Sequence, residues 1–269
     1  MAVITWDAVG EHMYETGVKN AVLYPALGTV EAFSTTKAYA KGDLVTKDGK
    51  NYKAKAAVTA GDWSASDWDE YKSDYAKGVA WNGMTGYTES PSGAEETALY
   101  ADNIKYLSLR SAEDFGATVE SYMYPDEWAE CDGSAEIAEG VIIGQQRRKS
   151  FGFCATTVVG NDVDGNDKGE KIHIIYNGTA SPSERAYQTI NDSPEAITFS
   201  WEITTTPIAV GVLENSLEKY KPTANIVIDA TKADPTKLAT LKGMLYGTND
   251  SDPYLPTPKA IYDLFNAVG

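Results

Sequence analysis

Two apolar, β-branched runs separated by a polar loop constrain the fold of this chain more than any other feature. Residues 149–159 read KSFGFCATTVV, and residues 171–176 read KIHIIY. The loop between them, residues 160–170 (GNDVDGNDKGE), consists mostly of Gly, Asn and Asp, which favour turns. This arrangement predicts a long β-hairpin with an exposed polar tip.

Other segments with a β-forming composition are spaced along the chain in the same way. Residues 115–124 are rich in β formers, and residues 225–230 (NIVIDA) are short and β-branched. Residues 196–206 alternate, so that Ile197, Phe199, Trp201 and Ile203 share one face. Strands at this spacing, with turn signals between them, predict a mainly β fold, either an antiparallel β-sandwich or a rolled sheet.

Helix signals are few. Residues 183–190 follow a Ser-Pro pair and end before a Pro-containing turn, which predicts one short helix flanking the sheet. Asp234 and Thr257 each precede a proline, and a capping side chain followed by Pro is typical of a helix start. Two C-terminal helices are therefore predicted, at residues 234–246 and 257–268.

Residues 31–76 differ from the rest of the chain in charge. They hold seven Lys and eight acids, a net of −1, whereas the whole chain has 23 bases and 39 acids, a net of −16. The remainder therefore carries −15. The segment has its own aromatic residues, and Asp48-Gly49 lies between two alternating stretches, which is a strong hairpin signal. We predict a small inserted β module here, between a domain formed by residues 1–30 and 77–235 and a helical C-terminal extension at 236–269.

Composition excludes several classes of protein. An apolar fraction of 42% is too high for a disordered acidic tail, and no run approaches the length that crosses a bilayer. The first residues have neither the basic nor the apolar region of a signal peptide, so no secretion or membrane association is expected. An acidic chain does not gain affinity by neutralising phosphates, which disfavours ordinary nucleic-acid binding.

The sequence offers no catalytic or metal-binding constellation. Cys131, Cys154, His12 and His173 are the only Cys and His residues, and their spacing matches no zinc motif. A disulfide between the two Cys is compatible with the sequence, but without a secretion signal we favour two free, half-buried thiols in strands. The Asp-rich loop at 162–167 departs from a calcium loop at its Gly and Glu positions, which favours a solvated hairpin tip. We therefore expect no enzyme activity, no metal and no cofactor.

One basic cluster stands out in this acidic chain. Arg147, Arg148 and Lys149 are consecutive. A phosphate-binding role is one interpretation. Contact with acidic groups of a neighbouring subunit or strand edge is the interpretation that we favour.

Several blocks resemble a known structural family. They are residues 77–95 (KGVAWNGMTGYTESPSGAE), 100–106 (YADNIKY), 124–134 (YPDEWAECDGS), 144–149 (GQQRRK) and 186–202 (AYQTINDSPEAITFSWE). In this order they resemble the major tail protein, or tail tube subunit, of long-tailed bacteriophages, over about 1–30 and 77–235.

This resemblance implies a β-sandwich subunit that forms hexameric rings, which stack into a tube. The implied partners are other copies of the chain, the tape measure, tail terminator and distal tail proteins, and DNA that passes through the lumen without specific binding. The implied location is the phage virion, with assembly in the host cytoplasm. For contact between rings, the resemblance points to the segment 87–100 and to the hairpin tip with Asn161, Asp162, Asp164, Asn166 and Asp167. An acidic lumen would repel DNA phosphates, so the net charge agrees with such a conduit.

The insert carries a second, shorter resemblance. Residues 38–45 (AYAKGDLV), Gly49, residues 52–54 (YKA) and residues 66–68 (SDW) are similar to chitin-binding-type carbohydrate-binding modules. That family stacks exposed aromatic rings on sugar rings. The resemblance implies a glycan-binding surface formed by Tyr39, Tyr52, Trp63 and Trp68, with cell-surface glycans as a partner. The alternative is that these rings form the core of the small module, which then decorates the outside of the tube.

Overall fold

Antiparallel β-strands make up most of the chain. The computed structural model describes residues 6, 8–71, 73–187, 189–190, 196–214 and 216–267. In chain order the strands are β1 (Tyr14–Pro25), β2 (Leu44–Lys47), β3 (Lys50–Ala54), β4 (Trp68–Glu70), β5 (Val79–Trp81), β6 (Met84–Glu89), β7 (Ser92–Gly93), β8 (Glu96–Ala101), β9 (Ile104–Arg110), β10 (Glu113–Asp114), β11 (Gly116–Ser121), β12 (Ala135–Ala138), β13 (Val141–Ile143), β14 (Phe151–Asn161), β15 (Gly165–Ala180), β16 (Phe199–Thr205), β17 (Leu213–Glu214), β18 (Leu217–Glu218) and β19 (Asn225–Asp229). The helices are α1 (Ala129–Asp132), α2 (Pro235–Tyr246) and α3 (Pro258–Asn266), and short 3-10 turns lie at Ala65–Asp67 and Asp126–Trp128.

An eight-stranded sheet forms the centre of the molecule. Its order is β5-β1-β14-β15-β16-β11-β6, and β19 also pairs with β15. All of its pairings are antiparallel. The outermost strands, β5 and β6, are joined by only Asn82 and Gly83. Because two residues cannot span an open sheet, the sheet rolls until its two edges meet.

Apolar clusters cover the sheet on both faces. Phe151, Phe153 and Ala155 of β14 point into the roll, where they pack with Trp81, Trp128 and Trp201. Cys154 and the alternate residues of β15 point the other way and pack against Leu241, Leu245 and Ile261 of α2 and α3. The β14 strand is buried on both faces for this reason, which explains why its sequence is apolar without strict alternation.

The inserted segment has a small sheet and core of its own. The β2 and β3 strands form the predicted hairpin around Asp48 and Gly49, and β4 pairs with β3. The chain leaves the main sheet and returns to it at one place, because Ala26 bridges Tyr75 and the amide of Leu27 donates to the carbonyl of Asp74. The insert is also tied to the C-terminal region, where Asp252 forms ion pairs with Lys53 and with Lys77.

The main hairpin and both C-terminal helices were predicted correctly. The hairpin is longer than expected, because β14 continues to Asn161 and β15 starts at Gly165. The Asp234 carboxylate accepts hydrogen bonds from the amides of Thr236 and Lys237, and the Thr257 hydroxyl accepts one from Ala260. These two caps start α2 and α3, which pack against the main sheet.

The helix predicted at residues 183–190 is wrong. Residues 183–187 and 189–190 are irregular, and Gln188 lies outside the described residues. Within this segment the Arg185 guanidinium pairs with Asp132 and lies over the ring of Tyr124, 5.4 Å from its centroid. Such a short helix gains few internal hydrogen bonds, so these tertiary contacts determine the conformation.

Candidate assembly surfaces

A long two-stranded ribbon extends from the edge of the sheet. The β6–β11 pairing continues into the β7–β10 pair and then into the β8–β9 pair. Asp102 and Asn103 close the ribbon with φ values of 50° and 65°. Positive φ at both central residues is characteristic of the tight type I′ hairpin turn. The ribbon therefore has a defined conformation although β8 and β9 pack mainly against each other.

One face of this ribbon is apolar and exposed. Leu99 lies opposite Leu107, and Leu109 follows on the same face, since alternate residues of a strand share a face. On this face Leu99 is 42% exposed and Leu109 is 55% exposed, while Ile104 and Tyr106 are exposed on the opposite face of the ribbon. A β-hairpin on its own is marginally stable in water, so such a face is expected to be covered by a partner. Segment 87–100 is one of the predicted contact regions, whereas its pairing partner, β9, was not predicted from the sequence. The Asp-Asn turn between two alternating runs was the missed signal.

A second apolar hairpin precedes the basic cluster. The β12–β13 pair exposes Ile137, Val141 and Ile142. The chain then passes through residues 144–150, where Lys149 pairs with Glu130 at 2.8 Å. Arg147 is exposed, and it has no ion pair in the described part of the chain. This end of the molecule thus combines exposed apolar side chains with positive charge.

The predicted contact residues at the hairpin tip are exposed, apart from Asn161, and two of them, Asn161 and Asp162, bind the N-terminal arm, residues 8–13. Asp162 accepts hydrogen bonds from the Gly10 amide at 3.0 and 3.2 Å, and its Oδ2 lies 3.0 Å from Nδ1 of His12. Asn161 is buried and donates to the Gly10 carbonyl, and the hydroxyl of Tyr14, at the start of β1, donates to Asn166.

The charges at this tip are partly compensated. The contact with His12, followed by the hydrogen bond from the Gly10 amide, lowers the pKa of Asp162. Asp164 pairs with Lys168, while Asp167 has no ion pair among the described residues. The tip therefore forms an acidic surface held in place by the arm.

The aromatic rings of the insert form its core. Tyr39 and Trp68 are both 4% exposed, so they cannot present a face to a sugar in solvent. Trp63 stacks on Trp68 with centroids 5.1 Å apart and lies edge-on to Tyr52 at 4.9 Å. The Lys47 ammonium lies 5.4 Å from the Trp63 centroid. Of the four predicted glycan-binding residues, only Tyr52 and Trp63 are half-exposed, and both contribute to the module's apolar cluster.

His173 belongs to a closed polar cluster that joins four strands. Its Nδ1 lies 2.9 Å from the Glu89 carboxylate, and its Nε2 lies 3.0 Å from the Thr157 hydroxyl. Burial acts to raise the pKa of Glu15, but hydrogen bonds from Lys171 and Thr157 outweigh it, so this pKa is lowered. Each group has a partner, so the cluster ties β1, β6, β14 and β15 together.

The two cysteines are free and buried. Cys131 lies inside the roll and Cys154 lies under the C-terminal helices, so the sheet separates them. Burial raises the pKa of each thiol to about 12. In the described part of the chain, no three His, Cys, Asp or Glu residues are grouped so that they could hold a metal ion. No helix among the described residues is long and apolar enough to cross a bilayer.

Comparison of the chain with models of known protein families and with curated proteins finds no match.

Proposed function

We propose that this protein is a structural tail tube subunit that assembles with copies of itself into stacked hexameric rings, forming a conduit for phage DNA. The observation that carries the proposal is the ribbon β8–β9, which extends from the sheet with its leucine face uncovered. The sequence blocks at 77–95, 100–106 and 124–134 support the same family.

The energetics of the ribbon favour assembly. Fully burying a leucine side chain contributes about 1.5–3 kcal/mol. Leu99, Leu107 and Leu109 share one face, so covering that face stabilises a contact by several kcal/mol before the cost of association. In a ring the same contact is repeated by every subunit, and repetition of a head-to-tail contact produces closed or stacked assemblies.

The charge distribution is compatible with a DNA conduit. Outside residues 31–76 the chain carries 31 acids and 16 bases, a net of −15. Acidic groups that line the lumen would repel phosphates and let DNA slide, whereas a basic lining would retain it. In this proposal the nearly neutral insert lies on the tube exterior, because at any other position its bulk would block contacts between subunits. Its two ends leave the sheet side by side, so the whole insert can project from one place.

Negative-stain microscopy and size-exclusion chromatography test the proposal. We expect rings or tubes for the wild type and monomers for Leu109→Glu, with an unchanged melting temperature because this side chain is exposed. Leu217→Glu places the same charge on an exposed leucine of β18 and should assemble normally. A wild type that stays monomeric even with the other tail proteins would refute the proposed function. Normal assembly of Leu109→Glu would refute the role of the ribbon.

Carbohydrate binding through residues 31–76 is a second candidate, and the half-exposed pair Tyr52 and Trp63 is the observation that supports it. A glycan array probed with the full chain and with Trp63→Ala is the test. Loss of glycan binding in Trp63→Ala, with the variant still folded, would support this function. A wild-type protein that binds no glycan on the array would refute it.

A further inference from the structure

The central hairpin carries opposite charges at its two ends. The β14 strand runs from Phe151 to Asn161 and spans about 35 Å at ~3.3 Å per residue. The basic residues 147–149 lie just before its start, and the acidic tip, with Asp162, Asp164 and Asp167, lies just after its end. The register of β1 agrees, since Pro25 pairs with Phe151 at one end and Tyr14 pairs with Gly160 at the other.

Each end retains an exposed charged side chain of its own sign without an ion pair among the described residues. At the basic end Lys149 is paired with Glu130, which leaves Arg147 and Arg148. At the tip Lys168 offsets Asp164, while Asp167 has no ion pair among the described residues. Arg147 and Asp167 are therefore opposite in sign, and neither has an ion pair among the described residues of its own subunit.

Exposed apolar side chains accompany both charged ends. The β12–β13 hairpin exposes Val141 and Ile142 close in sequence to the basic residues. At the tip Val163 is 61% exposed, and the arm held by Asp162 exposes Val9 beside it. An apolar patch bordered by charged groups is typical of a protein interface.

From this placement we propose that the acidic tip of one subunit docks on the basic end of a second copy along the axis of β14. The proposal rests on the tail tube function and specifies which surfaces meet between successive rings. The contact is heterologous, because different patches of the same chain meet, so it propagates as a stack. Asn161 donates a hydrogen bond to the Gly10 carbonyl and Asp162 accepts one from the Gly10 amide, and these bonds place Val9 of the arm beside Val163 in the docking surface.

Charge reversal at single exposed positions tests the pairing. Arg147→Glu and Asp167→Lys each place like charges in contact, and each should lower the fraction of stacked rings at least about tenfold. The double variant Arg147→Glu/Asp167→Lys restores opposite charges and should recover stacking. Lys41→Glu and Asp62→Lys, at exposed positions in the insert, are the matched controls.

The readouts separate this inference from the proposed function. Microscopy counts single rings and stacks, and thermal unfolding verifies that each variant is folded. Stacking should also weaken as salt rises from about 0.1 to about 1 M, over which the Debye length falls from ~10 to ~3 Å. Single variants that stack like the wild type, or a double variant that fails to recover, would overturn the docking while leaving the tail tube function standing. A wild type that forms neither rings nor stacks would overturn both.

Discussion

The contact between Gly152 and Leu255 offers a quantitative test of how the C-terminal region joins the sheet. Gly152 lies in β14, and a Cβ added there would come 2.2 Å from Cδ2 of Leu255 and 3.4 Å from the Ile175 carbonyl oxygen. Leu255 is 1% exposed, so its side chain has no free space into which it could move. Gly152→Ala should therefore destabilise the protein.

The magnitude follows from two opposing terms. Overpacking a closed core costs about 1–3 kcal/mol. Replacing Gly by Ala at an ordinary backbone conformation contributes about 0.4–1 kcal/mol through the unfolded chain. The net expected loss is about 1–2 kcal/mol. Leu255→Ala removes buried atoms and leaves a cavity, which costs about 2–5 kcal/mol.

The double variant provides the decisive comparison. In Gly152→Ala/Leu255→Ala the new methyl group occupies space vacated by the leucine, so the loss should be smaller than the sum of the single losses by about 1 kcal/mol or more. Urea unfolding followed by tryptophan fluorescence measures the free energies. Gly61→Ala is the control, since no atom lies within 4 Å of a Cβ there. Additivity within about 0.5 kcal/mol, or a neutral Gly152→Ala, would refute the predicted packing.

Three further predictions concern charge, thiol chemistry and the insert. Hydrogen bonds from Lys53, which lies in the insert, and from Lys77, which lies just after it, lower the pKa of Asp252 to about 2. The stability that this carboxylate contributes is present above about pH 4 and is lost as the pH falls through its folded pKa. Because the side chain is 41% exposed, Asp252→Asn should cost no more than about 1 kcal/mol at pH 7, and a pH-independent difference in urea midpoint would contradict this origin. Cys131 and Cys154 should resist a thiol reagent at pH 8 until the protein unfolds, and rapid labelling of the native protein would contradict their burial. Because Trp63 is half-exposed, Trp63→Ala should destabilise the insert by about 1–2 kcal/mol, less than a fully buried tryptophan would. The loss should be seen as earlier exchange of the insert's amides, and protection equal to that of the wild type would show that this ring is dispensable to the core.

Sequence patterns identified the elements that are buried or capped locally. The β14–β15 hairpin is apolar because both of its faces are covered, and this produced a strong signal. The caps at Asp234 and Thr257 act within a few residues of themselves, so their sequence pattern was sufficient to place α2 and α3.

Elements whose conformation depends on distant contacts were not predicted. The segment at 183–190 has a helical composition, but the contacts of Arg185 with Asp132 and Tyr124 lie more than fifty residues away in sequence. The aromatic residues of the insert were identified, but the sequence did not distinguish the buried rings of Tyr39 and Trp68 from the half-exposed rings of Tyr52 and Trp63. In a small module the same residue types form both the core and the surface, so composition does not reveal which rings are buried.

The paired entry and exit of the insert has a practical consequence. Since Ala26 and Tyr75 are bridged, a folded unit with adjacent termini can replace residues 31–70, which lie between them, without stretching the strands on either side. The entropic cost of closing a loop between fixed ends grows only slowly with loop length. A short peptide and a whole domain at this position would therefore lower the stability of the scaffold by nearly the same amount. This junction is accordingly a natural fusion site, at which an epitope, an enzyme or a fluorescent label could be grafted while the rolled sheet remains intact.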